Sequence, residues 1–120
     1  MLLGNGNGTF QAPVIYPSGG QYAYSVAVGD LNGDGHADIV VANLCQSSGC
    51  PAGVVSVLLG NGDGTFQSPI SYESGGYGAS SVAIADVDGD LIPDLVVSNN
   101  CESLSGILIC APGSRPFLGR

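Results

Sequence analysis

Leu58-Leu59-Gly60-Asn61-Gly62-Asp63-Gly64-Thr65-Phe66-Gln67 repeats, at an offset of 56 residues, the stretch Leu2-Leu3-Gly4-Asn5-Gly6-Asn7-Gly8-Thr9-Phe10-Gln11. Aligning residues 2–44 with 58–100 without gaps leaves 25 identities in 43 positions. Chance does not give that, so the chain is built from repeated units. Within each copy, Gly alternating with Asn or Asp marks a tight turn, because Asn-Gly and Asp-Gly tolerate the positive φ that hairpin turns require. A phosphate cradle would need a helix N-terminus behind these glycines, and a strand pattern follows instead. Asp63 is therefore read as a turn residue.

Working outward from the turn, one period holds four strand patterns. Residues 25–30 (SVAVGD) are apolar-rich, and residues 38–44 (DIVVANL) form a near-continuous apolar run that predicts burial on both faces. Residues 54–60 (VVSVLLG) lead into the turn and 66–73 leave it, before the link Ser74-Gly75-Gly76. No stretch has useful helical periodicity. With 20 Gly, 7 Pro and only 2 Lys plus Arg, the composition is that of an all-β chain. Four-stranded antiparallel units near this length are blades of a β-propeller. By the phase of the repeat, residues 1–24 end a partial blade, 25–80 make a complete unit, and 81–120 make a second, incomplete one. That is about two blades, where closed propellers have roughly four to eight. The expectation is a fragment or truncated product, or else self-association through unpaired blade faces.

Between the first two strand patterns of each unit lies an acidic loop. The first is Asp30-Leu31-Asn32-Gly33-Asp34-Gly35-His36-Ala37-Asp38, the second Asp86-Val87-Asp88-Gly89-Asp90-Leu91-Ile92-Pro93-Asp94. Each sets oxygen-bearing side chains at loop positions 1, 3, 5 and 9. Carboxylates this dense repel one another unless a cation joins them, and calcium, a hard ion taking about six to eight oxygens, suits the set. Acidic turns without metal are the alternative. Seven of the ten acidic residues sit in these loops, and two calcium ions would bring the formal charge from −8 to −4. An EF-hand is excluded, since position 12 holds Val41 or Val97 rather than a bidentate Glu, and strands flank the loops.

Arg115 and Arg120 are the only basic residues besides the neutral His36, so there is no footprint for nucleic acid or an anionic membrane. No apolar run is long enough for membrane insertion or a signal segment. Cys45, Cys50, Cys101 and Cys110 allow three pairings. Pairing Cys45 with Cys50 and Cys101 with Cys110 would staple one hairpin each, while four free thiols are the alternative. Zinc lacks the CxxC spacing it favours. Disulfides and millimolar calcium both point outside the cytoplasm, to an extracellular or cell-surface setting.

With strand, acidic loop, strand and period in place, the chain resembles the FG-GAP / VCBS repeat family, which includes the N-terminal propeller of integrin α subunits. The loop Asp30–Asp38 looks like that family's D-x-[DN]-x-[DN]-G-x-x-D calcium loop. Gly75-Gly76 before Ser81-Val82-Ala83-Ile84-Ala85-Asp86 looks like its Gly-rich link, and Gly19-Gly20 before residues 25–30 matches again. The resemblance implies that Asp30, Asn32, Asp34 and Asp38 bind calcium by side chain, with the His36 carbonyl. It likewise implies Asp86, Asp88, Asp90 and Asp94, with the Ile92 carbonyl. Leu91 departs from the pattern where the first loop has Gly35; if φ is positive there, leucine costs about 1 kcal/mol or more.

Catalysis has little to stand on. His36 is the only histidine and its copy is Ile92, and nothing places a Ser-His-Asp set. A carboxylate pair of glycosidase type is better explained by metal spacing. Tyr16, Tyr22, Tyr24, Tyr72 and Tyr77 are assigned to packing between blades, with sugar stacking as the alternative. The expected function is therefore a calcium-binding segment of an extracellular binding or adhesion protein with a protein or glycan ligand, and not an enzyme. The alternative is a carbohydrate-binding propeller, or the accessory propeller of a polysaccharide-degrading enzyme.

Overall fold

Val26 stands opposite Val41 and Val28 opposite Ile39; 56 residues on, Val82 stands opposite Val97 and Ile84 opposite Leu95. The repeat in sequence is thus a repeat in strand register. The computed structural model describes residues 1–50, 52–104 and 107–110, with side chains through Cys101. Strands β1 (Gln21–Gly29), β2 (Asp38–Cys45), β3 (Val54–Leu58) and β4 (Ile70–Glu73) form one four-stranded sheet in chain order. Strands β5 (Tyr77–Ala85), β6 (Asp94–Leu104) and β7 (Ile107–Cys110) form a three-stranded sheet, again in chain order. All pairs are antiparallel, as in propeller blades, and the two sheets do not close on one another. What the sequence predicts for residues 111–120 lies outside the described residues.

The sheets stack through alternating side chains. Val40, Ala42, Val55 and Val57 of the first sheet meet Ala79 and Val82 of the second, with Ala27, Ile84, Leu95 and Val97 packed around them. The resulting pair is long, 50 × 35 × 26 Å, with a radius of gyration of 15.8 Å. A compact domain of this length would have about 14 Å. β2 has no exposed residue, as its apolar run predicts.

Three strand limits differ from expectation for physical reasons. β1 begins at Gln21 rather than at residue 25, because the link residues pair on across from Asn43 and Cys45 through a bulge between Ala23 and Ser25. β3 ends at Leu58, after which Gly60 makes only an isolated bridge to Phe66. β4 starts at Ile70, since Pro69 has no N–H to give the ladder. Two tyrosines also differ: Tyr22 and Tyr24 are exposed rather than packed between blades, while Tyr72, though exposed, lines the cleft between Val55 of the first sheet and Leu95 and Val97 of the second. Tyr16 does pack, edge-on to Phe66 with ring centroids 5.6 Å apart.

Both Gly-rich turns take the same form. Gly4 bridges Phe10 as Gly60 bridges Phe66, and Thr9 donates to Asn7 as Thr65 donates to Asp63, backbone to side chain at 3.0 Å in each. Cys45 and Cys50 are bonded, with their Cα atoms 4.5 Å apart, which closes the β2–β3 hairpin as one of the expected pairings has it. Cys101 is also oxidised and stands across from Cys110 in register, while the Cys110 side chain lies outside the described residues.

A polar tie holds each blade to the link before it. Asn43 Nδ2 donates to the Ser18 carbonyl at 2.9 Å, and Asn99 Nδ2 to the Ser74 carbonyl at 3.1 Å. Ser74 Oγ donates to Asn99 Oδ1, but Ser18 Oγ turns to the Gly20 carbonyl and leaves buried Asn43 Oδ1 without a partner. Asn99→Ala removes one tie and strands the groups it served. It is expected to lower stability by about 1–3 kcal/mol, read as a lower urea midpoint at unchanged slope.

Candidate metal centre

Asp30 follows the last residue of β1, and Asp38 opens β2, paired with Gly29. The chain must reverse within seven residues, and the carboxylates themselves shape that reversal. Asp30 Oδ1 accepts the Gly33 N–H and Oδ2 the Gly35 N–H, both at 2.9 Å. Asn32 Oδ1 accepts from Asp34 N–H at 3.3 Å, and Asp34 Oδ1 from His36 N–H at 2.9 Å. Asp38 is fully buried and has both oxygens satisfied, Oδ2 by Leu31 N–H at 2.9 Å and Oδ1 by Gly60 N–H at 2.8 Å. The second of these ties the loop to the end of the third strand. At residue 60 only glycine fits, since a Cβ there would lie 2.0 Å from the Ala37 carbonyl oxygen.

The second loop repeats this network. Asp86 Oδ1 accepts from Gly89 and Oδ2 from Leu91, each at 2.8 Å. Asp88 Oδ1 accepts from Asp90 N–H at 3.2 Å, Asp90 Oδ1 from Ile92 N–H at 2.9 Å, and Asp94 Oδ2 from Val87 N–H at 3.0 Å. Leu91 has φ +68° where Gly35 has +82°, so the leucine does occupy a left-handed position. It is 90% exposed, so no burial offsets that strain.

In the first loop Asp30, Asp34 and Asp38 each offer an oxygen within 4.8 Å of the others, and so do Asp86, Asp88, Asp90 and Asp94 in the second. Asn32 lies within the first network through its bond to Asp34. His36 and Ile92 bring their backbone to position 7 through the bonds just given, and the His36 ring stands at the edge of the cluster, its Nδ1 3.6 Å from Asp34 Oδ2. The other edge of the His36 ring covers the next turn, close enough to Gly62 that a Cβ there would lie 2.6 Å from Nε2. The donor set is all oxygen, which suits a hard divalent cation and not a soft one.

Electrostatics separate the members. The Gly35 N–H, with Gly33 and other loop amides, holds the Asp30 carboxyl below its ordinary value, and the Leu91 and Gly89 amides do the same for Asp86. Asp88 is pushed up, chiefly because its side chain shares a hydrogen bond with that of Asp90, another acid. The fourth carboxylate of the second loop thus adds repulsion as well as a ligand. The ties through Gly60, Asn43 and Asn99 escape a reading of motifs alone, although Asn43 and Asn99 are identical at the same place in both copies.

The FG-GAP-like repeat family model matches residues 1–41 and 45–97. No curated protein and no solved structure matches the chain.

Two expectations follow from the loops. A depressed folded-state pKa contributes stability above the unfolded value, about 3.9, that is lost as pH falls through the folded one. In chelator, the melting temperature is therefore expected to drop as pH falls below about 4, less steeply in Asp30→Asn, with Asp88 working in the opposite direction. Leu91→Gly should gain roughly 0.5–1 kcal/mol in thermal or urea unfolding, the relief of left-handed strain exceeding the entropy cost of glycine.

Proposed function

Because this chain belongs to the FG-GAP-like repeat family, we propose that it is a calcium-stabilised propeller segment of an extracellular protein that works by binding or adhesion. The observation that carries this is the convergence of carboxylate oxygens to within 4.8 Å at the same place in both blades. Asp30, Asn32, Asp34, Asp38 and the His36 carbonyl would hold one ion. Asp86, Asp88, Asp90, Asp94 and the Ile92 carbonyl would hold the other. Each ion would supply charge neutralisation and a fixed geometry to the connection between the first two strands of a blade. Its role is structural, and the chain acts as a binding module rather than a catalyst.

The Cys45–Cys50 bond supports an oxidising, extracellular setting, where millimolar calcium fills even weak sites. A second reading, glycan binding, draws on the exposure of Tyr22, Tyr24 and Tyr72, aromatic faces on which sugars stack. A glycan array separates it from protein adhesion.

Calorimetric titration of the metal-free chain is expected to find about two calcium ions, with Asp30→Ala and Asp86→Ala each retaining about one. Calcium should also raise the melting temperature, by mass action on the folded state. No heat, and no response of melting to chelator, would refute the reading.

A further inference from the structure

The contact between the two blades has two sides, and each side recurs at the far end of the pair, exposed at Val26, Val28, Ala83, Ala85 and Val96 and half-buried at Ile39, Val41 and Ser98. On one side are Ala27, Gly29, Val40 and Ala42 of the first blade, whose copies are Ala83, Ala85, Val96 and Ser98 in the second. On the other are Val82, Ile84, Leu95 and Val97, whose copies are Val26, Val28, Ile39 and Val41 in the first. Burial follows the contact. Val40 is 0% and Val82 7% exposed, whereas their copies Val96 and Val26 are 50% and 62% exposed. Val28, the copy of Ile84, is 65% exposed.

The open faces also match each other in shape. Inside the contact, the Ile84 Cδ1 methyl lies against Gly29, so closely that a Cβ on Gly29 would sit 3.1 Å from it. At the open faces the same two positions hold Ala85 and Val28. Glycine has become alanine, adding a methyl, and isoleucine has become valine, losing its Cδ1. The exchange conserves volume across the pair, the kind of change a packed contact tolerates best. Nothing within the chain brings Ala85 and Val28 together, since they lie on opposite outer faces.

We propose that the outer face of the second blade (Ala83, Ala85, Val96) receives the outer face of the first blade (Val26, Val28) of a second copy of this chain, repeating the blade-to-blade contact head to tail. Such a contact is heterologous, so it closes into a ring if the rotation per copy allows. This inference goes beyond the calcium reading and does not depend on it.

Light scattering of the 120-residue chain in calcium buffer, at concentrations up to on the order of 100 μM, tests it. A mass of two or more times 11.9 kDa is expected. Val28→Asp and Ala83→Asp, both at exposed positions, should each abolish assembly while keeping the wild-type circular dichroism spectrum. Mixed one to one, they should form a heterodimer and nothing larger, because each retains one good face. Val28→Ile should weaken assembly about tenfold or more by overfilling against Ala85, and adding Ala85→Gly should restore it. A wild-type monomer throughout the range, as when these faces serve only further blades of one polypeptide, would overturn the proposal. So would single variants that stay assembled, or mixed variants that stay apart.

Discussion

The buried, doubly hydrogen-bonded side chain of Asp38 is the constraint on which the first blade depends. Its two oxygens take the Leu31 N–H from one end of the acidic loop and the Gly60 N–H from the end of the third strand, and no water reaches it. A polar group this deeply buried is tolerated only where its hydrogen bonds are made. The loop path, the β1–β2 pairing and the position of the β3–β4 turn are thereby held to one another. Gly60 is glycine because the Ala37 carbonyl lies where a Cβ would be. Asp94 repeats half of this arrangement in the second blade, through Val87.

The acidic loops are organised by hydrogen bonds to their own amides, and in that state they concentrate negative charge. Asp30 and Asp86 are favoured as anions by the amides they accept from, while Asp88 is disfavoured by Asp90. The loop thus presents its oxygens already gathered, which would lower the ordering cost of taking up a cation, and a cation would in turn offset the repulsion that gathering creates. The first loop has fewer charges and two glycines at left-handed positions, Gly33 and Gly35. The second has one more charge and a strained leucine. The same clamp is built twice with opposite compromises.

Much of this was legible before the fold. The repeat of Leu2–Gln11 in Leu58–Gln67 gave the turn and the period, and β2 reads as a buried strand from its unbroken apolar run. The loop carboxylates do converge, at positions 1, 5 and 9 of the first loop and 1, 3, 5 and 9 of the second, because their spacing is a local property of the chain. What escaped was non-local or depended on backbone detail. That Asp38 reaches Gly60 requires knowing that a third strand ends beside the loop. β4 is shorter than its composition suggests because Pro69 interrupts the ladder. Tyr22 and Tyr24 depart from that reading because aromatic content says nothing of which face is covered: both stand exposed at the start of β1.

The central claim is that two calcium ions brace the two blades. A crystal structure of the chain grown in calcium tests it most directly. The account predicts an ion in each loop, bound by Asp30, Asn32, Asp34, Asp38 and the His36 carbonyl, and by Asp86, Asp88, Asp90, Asp94 and the Ile92 carbonyl, at about 2.3–2.6 Å. Loops that keep their carboxylates bonded only to their own amides at millimolar calcium, or ions held by other residues, would contradict it.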